Sequence, residues 1–248
     1  MKVLLSGCGG HMGREVLTAA QTQYEDVEII AGVDAFNGDG MPFPCAASFD
    51  DACTDADVII DFSHHSCTND LLSFAVVNRI PLVLATTGQT DEERKAIIEA
   101  AGKIPLFFAA NYSIGIALLI ELAKKTAAAM PNAEIEIIEK HHDRKVDAPS
   151  GTALAIAEAI SSVRPDSFVV SGRSGNSCKR KPNEIGISAI RMGNIVGEHE
   201  VLIGTPNQTI SLKHEAHSRA LFAEGAISAA LFLKDREPGL YTMNDLVK

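Results

Sequence analysis

The sequence predicts an α/β protein in which a doubly wound parallel sheet is followed by a second, α+β domain built on an open mixed or antiparallel sheet. Over about the first 110 residues, short and almost continuous apolar runs alternate with helical segments. This pattern is typical of parallel strands that are covered on both faces. Beyond 184, strand-like segments follow one another with only turns between them, which indicates a different second sheet.

The first strand is predicted at 2–6, and the glycine-rich segment 7–13 joins it to a helix. Glycines at this point permit a tight turn and let a pyrophosphate lie against backbone N–H groups. A second strand, 27–33, ends in Asp34, about twenty residues past the glycines, where an acid binds ribose hydroxyls. The order strand, glycine turn, helix and acid predicts a Rossmann-type dinucleotide site. Its predicted cofactor-binding residues are Gly7, Gly9, Gly10, His11, Met12, Gly13 and Asp34.

Three further strands are predicted at 57–63, 81–88 and 104–110, with helices near 68–77 and 90–101 between them. Ligands of such sheets bind beyond the carboxyl ends of the strands. The loops there are predicted to line the nicotinamide end of the cofactor site, unless they only end strands and cap helices. Their residues are Phe62, Ser63, Ala85, Thr86, Thr87, Gly88, Ala109, Ala110, Asn111 and Tyr112.

A strand at 133–139 and a helix at 152–162 enclose a loop that is rich in cationic side chains. The backbone N–H groups of Gly151 and Thr152, at the Ser150-Gly151-Thr152 helix start, have no intrahelical partner and suit a carboxylate or phosphate. Lys145 and His142 would add charge-assisted hydrogen bonds, which leaves His141 as the proton donor. The alternative is a simple capped helix start preceded by polar loop histidines.

After a long helix at 114–130 and the segments just described, strands are predicted at 185–191, 195–203 and 208–214. The turns at 192–194 and 204–207 favour an antiparallel meander. Ser218 is predicted to cap the last long helix.

Composition excludes several classes of protein. With 22 Lys+Arg against 32 Asp+Glu, the net charge of −10 disfavours nucleic-acid and anionic-membrane partners. The one compact basic run, 179–181, lies in a polar loop (171–184) that we expect to be solvated or a mobile flap. Five scattered cysteines without a Cys-x-x-Cys pair favour reduced thiols, and the absence of a signal-like apolar segment makes the cytoplasm the expected location.

No metal site is predicted. The segment 214–217 is one residue short of a His-Glu-x-x-His motif, and the pair 64–65 has no third ligand nearby. His199 is left with two interpretations, a residue that faces the substrate or a structural hydrogen-bonding partner.

The segment His-His-x-x-Lys-x-Asp-Ala-Pro-Ser-Gly-Thr-Ala at 141–153 resembles the signature of the 4-hydroxy-tetrahydrodipicolinate reductase (dihydrodipicolinate reductase) family of bacterial lysine and diaminopimelate synthesis. The resemblance runs from Gly7 to the closing segment 239–245. It departs from the family at His65 and Ala110, where proline is common, and this puts the shape of those loops in doubt.

The resemblance implies NAD(P)H-dependent reduction of 4-hydroxy-tetrahydrodipicolinate, via dihydrodipicolinate, to tetrahydrodipicolinate. It implies that His141 and Lys145 are catalytic, and that His142, Lys145, Ser150, Gly151 and Thr152 hold a cyclic dicarboxylate. It also implies a discontinuous nucleotide domain (1–111 plus 216–248), a substrate-binding and oligomerisation domain (112–215), and a homotetramer.

Ala35 follows Asp34 where an arginine would favour a 2′-phosphate, so NADH is the expected cofactor and NADPH the second choice. Two alternatives stay open. Another nicotinamide-dependent dehydrogenase would keep the glycine turn but has no need for the 141–152 residues. A non-enzymatic dinucleotide sensor would need no proton donor.

Overall fold

The computed structural model describes residues 1–36, 38, 40–176 and 178–248. The chain divides into two compact units, 1–114 with 219–248, and 115–218. From the sequence, we placed these borders after 111 and before 216. In the described ranges, no helix has both the length and the apolar character that a bilayer crossing requires.

The first unit contains a seven-stranded sheet in which every pair of neighbouring strands is parallel. Its strands are β1 (Lys2–Ser6), β2 (Glu28–Val33), β3 (Cys45–Ala46), β4 (Val58–Asp61), β5 (Leu82–Leu84), β6 (Pro105–Phe108) and β12 (Gly239–Tyr241), in the order β12-β6-β5-β4-β1-β2-β3. Its helices are α1 (His11–Gln23), α2 (Thr68–Asn78), α3 (Asp91–Ala101), α6 (Ala220–Leu233) and α7 (Met243–Leu246). The predicted doubly wound parallel sheet is confirmed.

The central strands are covered on both faces, because Val3, Leu4 and Leu5 of β1 are all completely buried. The strand order reverses between β1 and β4, whose carboxyl ends lie side by side with Ser6 opposite Asp61. A crevice for a ligand forms at such a reversal. The glycine turn that follows β1 and the loop that follows β4 both lie there.

The second unit contains a five-stranded mixed sheet, which confirms the predicted second sheet. Its elements are the body of α4 (Ile114–Ala129), α5 (Gly151–Ser161), β7 (Glu134–His141), β8 (Phe168–Ser171), β9 (Glu184–Arg191), β10 (Gly197–Thr205) and β11 (Gln208–Ala216), with strand order β11-β10-β7-β9-β8. The helix α5 buries Ala153, Ile156, Ala157 and Ile160 in the core cluster that holds Ile135 and Ile137 of β7.

The predicted antiparallel meander is wrong at its first connection. β10 and β11 form the expected hairpin, but β9 pairs in parallel with β7, and β7 lies between β9 and β10. The segment 192–196 therefore steps over the end of β7 instead of making a hairpin turn. Neighbouring strands are about 4.8 Å apart, so five residues are long enough to cross one strand. Turn composition shows that the chain reverses, but it does not show which strand becomes the neighbour.

Three smaller expectations also need correction. Arg219, and not Ser218, is the N-cap of α6. The short strands β3, β8 and β12, which lie at edges of the two sheets, were not predicted. Segment 171–184 is not simply solvated. Arg173 binds the carboxylates of Glu136 and Glu184, and Arg180 binds the Glu136 carboxylate and the Glu184 carbonyl oxygen. The buried Glu184 carboxylate needs such a cationic partner. Ser177 of that segment lies outside the described residues.

Candidate active site

The histidines of the signature segment lie at the carboxyl end of β7. One face of this strand packs into the hydrophobic core along most of its length and carries the site residues at its end. Successive side chains of a strand alternate between its faces. Ile135, Ile137, Glu139 and His141 of β7 therefore share one face, and all four are buried. The two isoleucines anchor the strand in the core, so the glutamate and the histidine are held on a rigid element.

Glu139 was not predicted as a site residue, yet its carboxylate is the centre of the polar network. Arg191 at the end of β9 donates to both oxygens, from Nη1 to Oε2 at 2.9 Å and from Nη2 to Oε1 at 2.7 Å. His141 Nδ1 lies 2.6 Å from Oε2, and the Ser150 N–H donates to Oε1 at 3.0 Å. Burial by itself raises the pKa of Glu139, but these hydrogen bonds outweigh it and lower the pKa below its ordinary value.

The Glu139 carboxylate holds the His141 ring in place. With Nδ1–H donating to Glu139, its Nε2 is the ring nitrogen left for proton transfer. Gly197 gives the ring its space, because a Cβ at that position would lie 3.1 Å from His141 Nε2. The arrangement is that of an acid–base histidine oriented by a carboxylate.

The helix α5 begins at Gly151, with Ser150 as its N-cap. The Ser150 hydroxyl oxygen accepts the Ala153 N–H at 3.2 Å, so this side chain is used within the helix start. Gly151 is exposed, and a Cβ built there meets no atom within 4 Å. The first N–H groups of α5 therefore adjoin open space, and the Gly151 N–H interacts there with the Asp147 carboxylate, as expected of an anion at a helix start. Thr152 follows, half-buried.

Lys145 and His142, the other predicted ligands of the anion, lie in the loop between β7 and α5. Lys145 Nζ forms an ion pair with Asp147 Oδ1 at 2.8 Å. The hydrogen bond from Lys145 lowers the pKa of Asp147. Lys145 is half-buried and Asp147 is exposed. Because a pair with an exposed partner contributes only about 0–1 kcal/mol, Lys145 can exchange Asp147 for a ligand carboxylate at small cost. His142 is half-buried in the same loop.

His199 of β10 joins the network from the neighbouring strand. Its Nε2 lies 3.1 Å from Ser150 Oγ, and its ring meets that of His141 edge to face, with centroids 5.2 Å apart. Burial and the neighbouring His141 lower the pKa of His199 to about 4, so the ring is neutral near pH 7. No described residue offers a hydrogen-bond partner to its Nδ1.

The first unit holds the predicted dinucleotide residues at the strand-order reversal. The turn is packed too tightly for side chains, since a Cβ on Gly7 would lie 2.6 Å from the Phe62 carbonyl oxygen, and one on Gly13 would lie 2.3 Å from the Gly7 carbonyl oxygen. The Gly9 N–H donates to Asp34 Oδ2 at 3.0 Å. This close-packed turn and the acid beside it fit a dinucleotide.

A cavity of about 350 Å³ opens beside this turn. Of the predicted cofactor residues, those that line it are Gly7, Gly10, Asp34, Phe62 and Ser63. His11 is exposed as the first residue of α1, and Met12 beside it is half-buried.

The loops predicted to line the nicotinamide end lie at the carboxyl ends of β5 and β6, and some of their side chains bond within the fold. Thr86 donates its hydroxyl to the buried Asp61 at 2.6 Å, and burial raises the pKa of Asp61. Tyr112 donates to the carbonyl oxygens of Leu84 and Phe107. The Asn111 side chain accepts the Ser113 N–H at 2.8 Å. Ala85 and Ala109 are half-buried, whereas Thr87, Gly88 and Ala110 are exposed, so contact with a cofactor stays a prediction for this loop set.

Within the described ranges, no group of three or more His, Cys, Asp and Glu side chains is placed to hold a metal ion. His65 instead lies 3.3 Å from the Glu93 carboxylate.

Comparison with known proteins covers almost the whole chain. Residues 1–112 match the family profile described as dihydrodipicolinate reductase, N-terminus, and residues 115–247 match that for the C-terminus. The 4-hydroxy-tetrahydrodipicolinate reductase of Caldanaerobacter subterraneus subsp. tengcongensis is 47% identical over 100% of this chain and 98% of its own length. That of Clostridium novyi is 43% identical with the same coverage.

Solved structures agree with this. A dipicolinate-bound dihydrodipicolinate reductase from Paenisporosarcina sp. TG-14 superposes with a TM-score of 0.83 at 25% identity, over 99% of both chains. A probable dehydrogenase from Thermotoga maritima has a TM-score of 0.67 at 10% identity, over 99% of this chain and 92% of its own, and shows the fold alone. The chain therefore belongs to the dihydrodipicolinate reductase family, the NAD(P)H-dependent oxidoreductases of the lysine and diaminopimelate pathway.

Proposed function

We propose that this protein reduces 4-hydroxy-tetrahydrodipicolinate, via dihydrodipicolinate, to tetrahydrodipicolinate with NADH as the preferred cofactor. The observation that carries the proposal is the juxtaposition in the second unit of an open helix start at Gly151 with His141, whose ring is oriented by the buried Glu139. The dipicolinate bound to the solved relative from Paenisporosarcina supports a cyclic dicarboxylate as the ligand of this site.

One substrate carboxylate is held at the start of α5. The N–H groups of Gly151 and Thr152 donate to it, and Lys145 leaves Asp147 to pair with it. His142 adds a further donor from the same loop. Ser150 contributes by position, because its hydroxyl caps the helix and its N–H is bound to Glu139. Several charge-assisted hydrogen bonds of about 1.5–3 kcal/mol each would fix the ring in one orientation.

Reduction of the unsaturated ring requires a hydride and a proton. When bound, the reduced nicotinamide supplies the hydride. His141 Nε2 supplies the proton, while Glu139 keeps the ring oriented through Nδ1 and Arg191 keeps Glu139 in place. Lys145 places a positive charge beside the substrate carboxylate. This charge stabilises the substrate as the charge distribution of its ring changes during reduction.

The decisive experiment follows the absorbance of reduced nicotinamide with purified protein. We expect oxidation only when freshly made cyclic imine is present, and competitive inhibition by pyridine-2,6-dicarboxylate. Comparable turnover of simple keto acids or aldehydes would instead identify another dehydrogenase on this scaffold. Binding of the cofactor without any turnover would identify a dinucleotide sensor.

The preference for NADH rests on Asp34 and Ala35. The Asp34 carboxylate accepts N–H groups from Gly9 and Phe36, and its charge repels a 2′-phosphate. Arg14 is a cation at the glycine turn, where its Nε donates to the Gly9 carbonyl at 3.2 Å. Asn37 and Asp39, which bring no cation in the sequence, lie outside the described residues.

We expect Ala35→Arg to raise kcat/KM with NADPH relative to NADH. If the native protein already uses NADPH equally well, the Arg14→Ala variant should abolish that use.

Two further expectations complete the proposal. A homotetramer built through the second sheet is supported by exposed apolar side chains on that sheet, including Phe168, Val169 and Ile190. Light scattering of the eluting protein would measure its mass. Location in the cytoplasm stays a prediction from the sequence.

A further inference from the structure

Two cysteines outside the proposed chemistry lie against each other beside the glycine turn. Cys8 Sγ is 3.3 Å from Cys45 Sγ, although the residues are 37 positions apart in the chain. Cys8 is the second residue of the glycine turn, and Cys45 begins the short strand β3. All five cysteines of the chain are free thiols.

The packing around this pair leaves one partner able to move. Cys8 is completely buried, a Cβ on Gly32 would lie 2.5 Å from its Sγ, and a Cβ on Gly13 would lie 2.6 Å from its carbonyl oxygen. Cys8 is therefore fixed between β2 and α1. Cys45 lies on a two-residue strand at the edge of the sheet, paired on one side only. A closer approach of the two sulfurs must come mainly from β3.

Cys45 can also be reached from outside. A cavity of about 440 Å³ is lined by Cys45 together with Pro44, Ala47 and Cys53. A small molecule can enter there and meet Cys45, whereas Cys8 lies behind it. Burial and the hydrogen bond to Cys45 raise the pKa of Cys8 to about 12, so Cys8 is the slower of the two thiols to react.

We propose that Cys8 and Cys45 form a redox-modification site that is oxidised by small disulfides such as glutathione disulfide, and that their cross-link lowers affinity for the nicotinamide cofactor. Cys45 attacks one sulfur of glutathione disulfide and releases one glutathione. Cys8 then attacks the Cys45 sulfur of the mixed disulfide and releases the second. Two protein thiols become one disulfide, and one glutathione disulfide becomes two glutathione molecules.

The link to the cofactor site runs through β3. A disulfide bond is about 2.05 Å long, so β3 must approach the glycine turn. The Asp34 N–H donates to the Ala46 carbonyl at 2.9 Å, and Ala47, Ser48 and Phe49 line the cavity beside Asp34. Movement of β3 therefore displaces one wall of that cavity together with the acid that receives the ribose.

The test is a titration of the wild-type protein in glutathione redox buffers. Peptide mapping reports the cross-link, and fluorescence of bound NADH gives the Kd of each state without any substrate. The inference rests on the proposed cofactor site but not on the substrate, so a failed reductase assay leaves it untouched. We expect a Cys8–Cys45 peptide and at least about a fivefold rise in Kd. By reciprocal linkage, NADH binds the dithiol form more tightly, so saturating NADH should raise the midpoint potential of the pair by about 20 mV, which is that fivefold change converted for two electrons.

Single-cysteine variants distinguish the effect of the Cys8–Cys45 cross-link from the effect of oxidation at other cysteines. Cys45→Ser should keep its affinity for NADH in oxidising buffer, and Cys178→Ser, in the second unit, should respond as the wild type does. Absence of a Cys8–Cys45 peptide under fully oxidising conditions would overturn the proposal, as would a Cys45–Cys53 peptide in its place. A cross-linked protein with unchanged Kd for NADH would overturn it as well.

Discussion

The two histidines of the signature segment differ in how they are held. His141 is fixed from behind by Glu139, which in turn is fixed by Arg191, whereas His142 lies in the loop beyond the end of β7. A proton donor needs one defined ring nitrogen directed at the substrate. Buried Glu139, paired with half-buried Arg191, supplies this orientation, so the effect of the pair should appear in turnover more than in binding.

We expect Glu139→Gln to lower kcat by about tenfold or more and His141→Ala by about 100-fold, with smaller changes in KM. Glutamine keeps the shape of the side chain but removes the charge that holds His141 and Arg191. Steady-state kinetics over a range of pH measures both parameters.

Glu136→Gln is the matched control, because Glu136 lies on the opposite face of β7 and pairs with Arg173 and Arg180. It should keep the wild-type kcat. A Glu139→Gln enzyme with full turnover and an unchanged pH profile would remove Glu139 from the mechanism.

Substitutions of Lys145 and of Asp147 should change the Ki for pyridine-2,6-dicarboxylate in opposite directions. Lys145→Ala should raise KM for the cyclic imine and Ki for pyridine-2,6-dicarboxylate, because a charge-assisted contact is lost. Asp147→Asn should lower Ki by up to about fivefold, since Asp147 competes with the ligand for Lys145 and for the Gly151 N–H, and a pair with an exposed partner is worth about 1 kcal/mol at most. Inhibition constants at two salt concentrations provide the measurement. Weaker inhibition in Asp147→Asn would show that Asp147 helps to hold the ligand.

At the scale of the element, the start of α5 combines a structural cap with an open donor surface. Ser150 caps the helix, and the buried face of α5 fixes its axis on the sheet. Gly151 makes no contact that requires glycine, and its φ is not positive. The role of this glycine is to leave the helix N–H groups uncovered, and it is not required by the backbone conformation.

We therefore expect Gly151→Ala to fold with equal or slightly greater stability and to bind pyridine-2,6-dicarboxylate at least about tenfold more weakly, because the methyl group covers the N–H groups. Thermal unfolding and inhibition kinetics measure the two effects separately. Gly102→Ala, at the C-cap of α3, is the control for a glycine replacement elsewhere. Unchanged inhibition of Gly151→Ala would place the carboxylate away from this helix start.

The signature loop and the parallel strands were predictable because their signals are local. A glycine turn, an N-cap serine and apolar runs act within a few residues, and β1 and α5 begin within one residue of their expected positions. Glu139 was missed, although a charged residue in register with Ile135 and Ile137 on one strand face was a signal for a buried site. Arg191 carried no such signal, because its role depends on β9 pairing with β7, and turn composition does not specify that pairing.

At the scale of the whole molecule, each unit combines one sheet with one predicted site. The first unit places the glycine turn at the reversal of strand order, and the second places the histidines at the end of its central strand. Both sites therefore depend on strand ends that a well-packed core holds in position. In the second unit, the polar network of the site is continuous with this core, so its ionisation should affect the stability of the protein.

His199 provides the measurable case. Its pKa is lowered from 6.5 to about 4 in the folded protein, with burial as the largest cause. Between these two values the unfolded chain binds more protons than the folded one, so the free energy of unfolding rises with pH. The contribution is complete above pH 6.5 and is lost as the pH falls toward 4. At about 1.4 kcal/mol per pH unit, the window between pH 6.5 and about pH 4 amounts to about 3.5 kcal/mol at most. Glu139, whose pKa is lowered, adds a loss at still lower pH.

We expect the free energy of unfolding, measured by urea titration at a series of pH values, to decline from pH 6.5 toward pH 4 in the wild type. His199→Gln should be less stable at pH 7 but should show a flatter pH dependence in this range, because glutamine does not titrate. His217→Gln, which replaces an exposed histidine of the same unit, should keep the wild-type slope. An equal slope in His199→Gln would mean that the buried ring is not the group that titrates, and that the stability of the second unit at mildly acid pH is set outside the network of Glu139, His141 and Ser150.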